Sequence, residues 1–142
     1  MSTQPSDLEG LSMLGSNAQP SKDLEVFPNH TQNRFYLVTI ESNEFTNICP
    51  ATGQPDFATV KVEYVPDEKI VESKSFKLYL WSYRNEGVFH EHVTNVILDD
   101  LVKALDPHYC KVTMVFNVRG GLYFTVEAEH VKTPDAKSAV KN

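Results

Sequence analysis

The chain has 142 residues, of which 41% are hydrophobic and 23% are charged, as expected for one globular domain with a core of its own. Its formal net charge of −6, without a stretch rich in lysine and arginine, argues against a nucleic-acid backbone as direct partner and favours a small-molecule ligand. No apolar run is long enough to span a membrane and the N-terminus does not resemble a signal peptide, so we expect a cytoplasmic protein without membrane contact.

The first half of the chain predicts an arm and two strands. Residues 1–31 are rich in Ser, Pro, Asn and Gln and are expected to form an extended N-terminal arm. An apolar patch suited to docking this arm consists of Leu8, Leu11, Met13 and Leu14. Residues 33–42 are β-branched and aromatic and predict a strand. Residues 43–56 contain proline and glycine and predict a loop, whereas residues 57–65 alternate apolar and polar side chains, typical of a strand with one buried face.

The middle of the chain predicts two consecutive helices. The first begins near Ser73 or Ser75, which are both suitable N-cap residues, and ends near Gly87, a residue typical of helix C-termini. The second covers residues 89–105, where apolar side chains recur every four positions and Pro107 lies just beyond the end.

Two more strands complete the predicted elements. Residues 111–118 and 122–131 alternate apolar and polar side chains, and a turn with two glycines separates them. The side chains expected to face inward are Val112, Met114, Phe116 and Val118 on the first strand and Leu122, Phe124 and Val126 on the second. Residues 133–142 predict a loose C-terminal tail.

The order strand, strand, helix, helix, strand, strand predicts an α+β domain over residues 32–132. Its four strands are expected to form an antiparallel sheet with both helices on one face. The other face is partly apolar, with Val115 and Tyr123, and the sheet has two open edges. We therefore expect the chain to form homo-oligomers.

Cys49 and Asp56 are the strongest candidates for catalysis. Cys49 lies in a predicted loop, and without a secretory signal neither it nor Cys110 need form a disulfide. Asp56 follows across a Gly/Pro turn that would fold it back towards the thiol. A thiol nucleophile beside an acid suits attack on an electrophilic carbon with protonation of the atom that gains charge. A spare thiol in a turn fits this spacing equally well, and Cys110 is expected to be a packing residue.

Lys74 and Lys77 lie one turn apart at the start of the first predicted helix. Each ammonium group opposes the helix dipole there, at a cost of about 0.3–1 kcal/mol. A bound phosphate would explain the arrangement, because backbone N–H groups and both lysines would converge on it. On spacing alone, two solvated lysines are the simpler interpretation.

His90 and Glu91 open the second predicted helix, directly after Phe89. The carboxylate of Glu91 or Glu72 is suited to accept two hydrogen bonds from the N–H edge of a guanine-like base, with Phe89 stacked on its ring. An ordinary acidic first turn is the simpler interpretation. Zinc is not expected, because the four candidate ligands lack the spacing of known zinc motifs; they are Cys49, His90, His92 and Cys110.

Four segments, in this order and spacing, resemble the NADPH-dependent 7-cyano-7-deazaguanine reductases of queuosine biosynthesis, in their short single-module form. They are CPATGQPDF, VESKSFKLY, FHE and RGG. The resemblance covers most of the chain from Leu8 to about Glu129, including the N-terminal LEGLSMLG.

This resemblance implies a fold and an assembly. It implies the tunnelling fold, in which subunits join into barrels, here two stacked pentamers, with active sites between subunits. It also implies NADPH as the cofactor.

The resemblance further assigns roles to individual residues. Cys49 is implied as the nucleophile that forms a covalent thioimide with the nitrile, and Asp56 as the general acid. The implied substrate-binding residues are Val71, Glu72, Ser73, Phe89, His90 and Glu91. The implied NADPH-binding residues are Lys74, Lys77 and Arg119.

Three alternatives stay open. An amidinotransferase-like relative would form the same thioimide and attack it with ammonia on tRNA; the basic residues and the acidic net charge argue against it. A zinc-dependent pterin or GTP-cyclising enzyme of the same fold lacks support from metal-ligand spacing. A non-catalytic module that binds a pterin or purine would not need Cys49 and Asp56 together.

Overall fold

The computed structural model describes residues 2–12 and 18–141. A short 3-10 turn at Pro5–Leu8 precedes the strands and helices. In chain order these are β1 Val26–Pro28, β2 Val38–Ile48, β3 Pro55–Val65, β4 Lys69–Val71, α1 Ser73–Trp81, α2 His90–Leu105, β5 Tyr109–Arg119, β6 Leu122–Val131 and α3 Pro134–Val140. None of the described helices is both long and apolar enough to cross a bilayer.

Two antiparallel sheets form from these strands. The main sheet has the order β2-β3-β5-β6, and a small second sheet pairs β1 with β4. In the centre of the main sheet, Val62 is paired with Ile40 on β2 and with Val112 on β5. The predicted α+β fold with an antiparallel sheet is therefore confirmed.

The core lies between one face of the main sheet and helices α1 and α2. Alternate residues of β3 and β5 point into it, because successive side chains of a strand lie on opposite faces. The residues that meet there include Val60, Val62, Val112 and Met114 from the sheet and Phe76, Tyr79, Ile97 and Leu101 from the helices, all almost fully buried. Each such side chain stabilises the fold by roughly 1.5–3 kcal/mol relative to an exposed one.

Strand β2 begins and ends about five residues later than predicted, at Val38–Ile48, and this shift brings the strand up to Cys49. The sequence predicted a strand over residues 33–42 and a loop over 43–56, whereas β2 continues to Ile48. The register of the β2–β3 pair shifts between Ser42 and Phe45, so the polar residues 43 and 44 have no partner in this pair. After the shift, Phe45 and Asn47 point into the core. Cys49 therefore follows directly on a paired strand.

The prediction of which side chains point inward is wrong near the β5–β6 turn. Phe124 and Val126 pack against the core as predicted, but Val118 and Leu122 are 51% and 66% exposed. The register of the hairpin shifts between Phe116 and Arg119, so the alternation read from the sequence does not continue to the turn.

Both ends of the chain contain structure that the sequence did not predict. In the predicted arm, β1 pairs with β4, and Glu25 carbonyl oxygen accepts a 2.8 Å hydrogen bond from the Glu72 N–H just before α1. In the predicted tail, α3 docks through the buried Ala136 against Val65 and Tyr109. Within the apolar patch, Leu8 and Leu11 are exposed, whereas Met13 and Leu14 lie outside the described residues.

We expect the docking of α3 to contribute to stability. Replacing the buried Ala136 with Asp places a charge against Val65 and Tyr109 and should lower the free energy of unfolding by about 1–3 kcal/mol. Ala139→Asp is the matched control, because Ala139 is exposed on the same helix. Thermal or urea unfolding of the two variants measures the difference; equal stabilities would contradict the docking.

Candidate active site

The loop after β2 holds Cys49 in a closed turn. The Cys49 N–H donates to the carbonyl oxygen of Gln54 at 2.8 Å, and the Gly53 N–H donates to the carbonyl oxygen of Cys49 at 2.9 Å. Gly53 adopts a φ of 73°, a left-handed conformation that favours glycine. The turn returns the chain into β3, so Asp56 lies opposite Asn47 in the β2–β3 pair.

The segment before α2 is fastened to the end of β2. The Ile48 N–H donates to the carbonyl oxygen of Glu86 at 2.9 Å, and the Val88 N–H donates to the carbonyl oxygen of Ile48 at 3.1 Å. This pairing places Phe89, His90 and Glu91, which open α2, beside the Cys49 loop.

These contacts form a cavity of about 210 Å³. Its lining includes six of the residues that the sequence singled out for function, from four different elements or loops. They are Cys49, Asp56, Phe89, His90, Glu91 and Arg119, with Phe124 as a seventh lining residue.

The Cys49 thiol is activated by its own loop. Hydrogen bonding from the Thr52 side chain, then from the backbone of Thr52 and Ala51, lowers the pKa of Cys49 from 9.0 to about 7, and the Arg119 charge adds to the effect. A large thiolate fraction is therefore present at neutral pH, and the thiolate is the nucleophilic form. In contrast, Cys110 is buried in the core and burial raises its pKa to about 12, which agrees with the predicted packing role.

Asp56 is buried, with 7% of its surface exposed, and is paired with Arg119. The Arg119 Nη1 donates to Asp56 Oδ1 at 2.6 Å, and this bond raises the pKa of the guanidinium. The Nη2 of the same side chain donates to Thr52 Oγ1 at 2.9 Å and to Gln54 Oε1 at 2.5 Å. Arg119, which the resemblance implies as an NADPH ligand, is thus in contact with the acid and with the nucleophile loop.

Aromatic rings fix the position of His90. Its imidazole stacks on Phe116 with ring centroids 3.7 Å apart and meets Phe124 edge-on at 4.8 Å. The Nε2 atom lies 3.6 Å from Asp56 Oδ2. Phe89 is half exposed at the mouth of the same cavity, so a planar ligand has a ring face available to it.

The residues around the start of α1 do not line the Cys49 cavity of the same chain. Val71 is buried, and its N–H donates to Tyr64 Oη at 3.2 Å. Glu72, rather than Ser73 or Ser75, caps α1: its two carboxylate oxygens accept from the N–H groups of Lys74 at 2.8 Å and Ser75 at 2.7 Å. These bonds, the one from Lys74 first, lower the pKa of Glu72.

A second groove, of about 470 Å³, runs between α1 and β2. Ser73 and Lys77 line it together with Trp81 and Arg84, and Lys74 is exposed nearby on the first turn of α1. The cationic side chains beside an exposed aromatic ring fit the phosphates and bases of a dinucleotide such as NADPH.

Three polar residues that shape the site were not predicted. Asn47 is fully buried; its Nδ2 donates to the carbonyl oxygen of Val88 at 2.8 Å, and its Oδ1 has no hydrogen-bond partner among the described residues. Thr52 and Gln54 accept the hydrogen bonds of Arg119 described above. The polar composition of the CPATGQPD loop was a signal for the last two, whereas no pattern marks a buried asparagine at the end of a strand.

The described residues contain no group of three His, Cys, Asp or Glu side chains placed to hold a metal ion.

The thiol environment leads to a prediction for alkylation. The rate of Cys49 carboxamidomethylation by iodoacetamide should rise with pH and reach half its maximum near pH 7, because the thiolate forms with a pKa of about 7. Cys110 serves as the internal control and should stay unmodified in the folded protein, because it is buried. Peptide mass spectrometry after timed labelling measures both sites; a half-maximum near pH 9 would contradict the activation.

Comparisons with known proteins identify the family of the chain. The family described as "QueF-like protein" matches residues 55–135, more than half of the chain. Two relatives carry the name NADPH-dependent 7-cyano-7-deazaguanine reductase. The protein of Syntrophus aciditrophicus is 63% identical over 92% of this chain and 94% of its own length. The protein of Alkalilimnicola ehrlichii is 60% identical over 82% of this chain and 90% of its own length.

A solved structure shares the fold. The crystal structure of the archaeosine synthase QueF-Like in the apo form superposes with a TM-score of 0.64 at 30% identity, over 69% of this chain and 96% of that one. The sequence identities to the two reductases are about twice the identity to the archaeosine synthase, and they extend over more of the chain. The chain therefore belongs to the family of NADPH-dependent 7-cyano-7-deazaguanine reductases, within the QueF-like proteins.

Proposed function

We propose that this protein is an oxidoreductase that uses NADPH to reduce the nitrile of 7-cyano-7-deazaguanine to the primary amine of 7-aminomethyl-7-deazaguanine, a step of queuosine biosynthesis and thus of tRNA modification. The observation that carries the proposal is the cavity in which Cys49, with its lowered pKa, lies with Asp56 and Arg119. The high identity to relatives named for this reaction supports it.

The first chemical step suits these residues. A nitrile is a weak electrophile and needs a thiolate rather than a thiol for attack. The Cys49 sulfur forms a bond to the nitrile carbon, one C–N π bond breaks, and the nitrogen takes a proton from the carboxyl group of Asp56 to give a thioimide. The burial of Asp56 keeps bulk water from competing for that proton transfer.

NADPH supplies a hydride to carbon in each of two reduction steps. After the first hydride and a second proton are added, the C–S bond breaks and releases the Cys49 thiolate, leaving a protonated imine. The second hydride then gives the primary amine without a further proton. The balance is one nitrile, two NADPH and two protons for one amine and two NADP⁺.

Recognition of the base is assigned to two groups of residues. Phe89, His90 and Glu91 line the Cys49 cavity, with Glu91 able to accept from the N–H edge of the ring and Phe89 able to stack on it. Val71, Glu72 and Ser73 form the other group, at the start of α1. Their position outside the Cys49 cavity of the same chain supports a site built from two subunits.

The proposed assembly follows the tunnelling fold, with barrels made by pairing sheet edges of neighbouring copies into a decamer of two pentamers. Among the described residues, no strand pairs with the outer side of β6, and the outer side of β2 is bonded only at its end, where Ile48 pairs with residues 86–88. The sheet face opposite α1 and α2 also carries exposed apolar side chains, among them Phe57, Val115 and the 88% exposed Tyr123. Open edges and an apolar face favour association with further copies.

Cofactor binding is assigned to Lys74, Lys77 and Arg119, with Lys77 in the groove beside α1. Residues 32–132 form the proposed catalytic domain, between the arm and the tail. Both cysteines are free thiols, which supports a reducing compartment such as the cytoplasm.

A second candidate function is the transferase chemistry of an amidinotransferase-like relative that forms the same thioimide on tRNA. The structural likeness to an archaeosine synthase favours it. The net charge of −6 and the cationic groove beside α1 favour the reductase.

Substitution of the two reacting residues tests the chemistry. Cys49→Ala should remove both the covalent adduct and turnover, a loss of at least about 10³-fold, because no other group replaces the nucleophile. Asp56→Asn should leave an adduct detectable and slow turnover by about 10²–10⁴-fold, because the amide cannot donate the proton. NADPH absorbance with 7-cyano-7-deazaguanine, and intact mass without NADPH, measure the two steps.

Cys110→Ala is the matched thiol control and should retain adduct formation. Consumption of about two NADPH per nitrile identifies the reductase. An adduct without NADPH consumption would identify the transferase instead, and a fully active Cys49→Ala protein would exclude the thioimide route.

Complementation tests whether two subunits share each site. Cys49→Ala and Glu72→Gln should each be nearly inactive alone. If subunits are mixed 1:1 by unfolding and refolding, about one site in four should combine an intact Cys49 with an intact Glu72 of the neighbouring copy and regain activity. No recovery in the mixture, with recovery of refolded wild-type protein as control, would place both residues in the site of one chain.

A further inference from the structure

Arg119 makes three hydrogen bonds that join the acid to the nucleophile loop. One guanidinium nitrogen donates to Asp56 at 2.6 Å, and the other donates to Thr52 at 2.9 Å and to Gln54 at 2.5 Å. Thr52 and Gln54 lie within the loop that Cys49 begins, and Asp56 follows that loop on β3. A guanidinium is planar and rigid, so three simultaneous bonds fix the positions of its partners relative to one another.

The backbone of the β5–β6 hairpin positions Arg119 beside Asp56 and the Cys49–Gln54 loop. It is the last residue of β5, where the register of the hairpin has shifted, and it is followed by Gly120 and Gly121 with φ values of 59° and 77°. Its side chain is partly exposed, whereas the Asp56 side chain is 7% exposed. A carboxylate with so little access to water depends on a paired charge, because an unpaired buried charge is strongly destabilising.

We propose that Arg119 is a positioning residue for the covalent step, holding Asp56 and the Cys49–Gln54 loop so that the sulfur and the carboxyl group face the same nitrile. This inference rests on the proposed reductase function and goes beyond the cofactor contact that the resemblance implies for Arg119. It makes Thr52 the second positioning residue, because Thr52 accepts from Arg119 and its own hydroxyl hydrogen is then free to face the Cys49 sulfur.

The arrangement also bears on the proton of the first step. Arg119 holds the Asp56 carboxyl group in the cavity that Cys49 lines, so that Asp56 can pass a proton to the nitrile nitrogen while the thiolate sulfur forms the S–C bond and one C–N π bond breaks. The other ionisable groups at this place are His90, 3.6 Å from Asp56, and Glu91, both on α2.

The test separates positioning from cofactor binding by leaving NADPH out. For Arg119→Gln, adduct formation with 7-cyano-7-deazaguanine should slow about tenfold or more, equivalent to about 1.4 kcal/mol, because the loop and Asp56 lose their common partner. The half-maximum of Cys49 alkylation should also move to higher pH. Arg119→Lys keeps the positive charge but loses the planar set of N–H donors that bonds to several partners at once. It should therefore stay close to wild type in the pH of half-maximal alkylation but not in the rate of adduct formation.

Thr52 supplies an independent pair of variants. Thr52→Val keeps the shape of the side chain and removes the hydroxyl, so it should raise the pH at which Cys49 alkylation is half-maximal. Thr52→Ser keeps a hydroxyl and should retain the wild-type pH profile of alkylation. Arg34→Gln is the charge control, because Arg34 is exposed and the same unit of charge is lost. Thermal unfolding of each variant identifies any that does not fold, and the Thr52 pair then decides the question.

Two results would overturn the inference. One is an Arg119→Gln protein with wild-type adduct rate and alkylation profile but weaker NADPH binding, since Arg119 would then serve the cofactor alone. The other is a Thr52→Val protein with an unchanged alkylation profile. If wild-type protein forms no adduct with the nitrile, the proposed function fails, whereas the alkylation profiles still report on Arg119 and Thr52.

Discussion

The junction between the end of β2 and the start of α2 is the constraint on which the site depends. Ile48 is hydrogen-bonded through both its N–H and its carbonyl oxygen to the segment that leads into α2. Asn47 reinforces the junction from the core side by donating to the carbonyl oxygen of Val88 at 2.8 Å. Because Cys49 follows β2 and Phe89 precedes α2, this one backbone pairing brings the proposed nucleophile and the proposed ring-binding residues together. The Oδ1 of Asn47 is buried and has no hydrogen-bond partner among the described residues, so Asn47 serves this junction through its Nδ2 alone.

The positive charge of Arg119 acts on both Cys49 and Asp56. Cys49 and Asp56 can both carry negative charge, and two anions side by side would repel each other. The guanidinium of Arg119 compensates both, since it bonds to Asp56 and its charge also lowers the pKa of Cys49. The local bonds from the Thr52 loop are nevertheless the larger cause for Cys49. The nucleophile is thus activated mainly by its own turn, and the acid is held mainly by a distant residue.

The sequence predicted well where one physical signal dominated. The alternation in β3 and the four-residue apolar repeat of α2 correspond to the buried faces observed. Residues 43–48 are predicted as part of a loop because of the prolines and glycine at 50–55, but Asn43 and Glu44 lie at a register shift of β2 and Asn47 is buried with hydrogen bonds. Helix α3 carried only the weak signal of Thr133-Pro134, a capping residue and a first-turn proline. The role of Arg119 followed from long-range contacts that no local pattern encodes.

Glu72 shows how a helix cap and a ligand contact can be the same residue. A carboxylate has about four lone-pair positions, and the N–H groups of Lys74 and Ser75 occupy one on each oxygen. One position on each oxygen remains, enough for the two parallel N–H donors of a guanine-like edge. The cap fixes the orientation of the side chain before a ligand arrives, so binding loses less rotamer entropy. Because the cap also lowers the pKa of Glu72, the side chain stays an acceptor at neutral pH. This geometry supports the proposal that Glu72 of one subunit reads a base held in the Cys49 cavity of another.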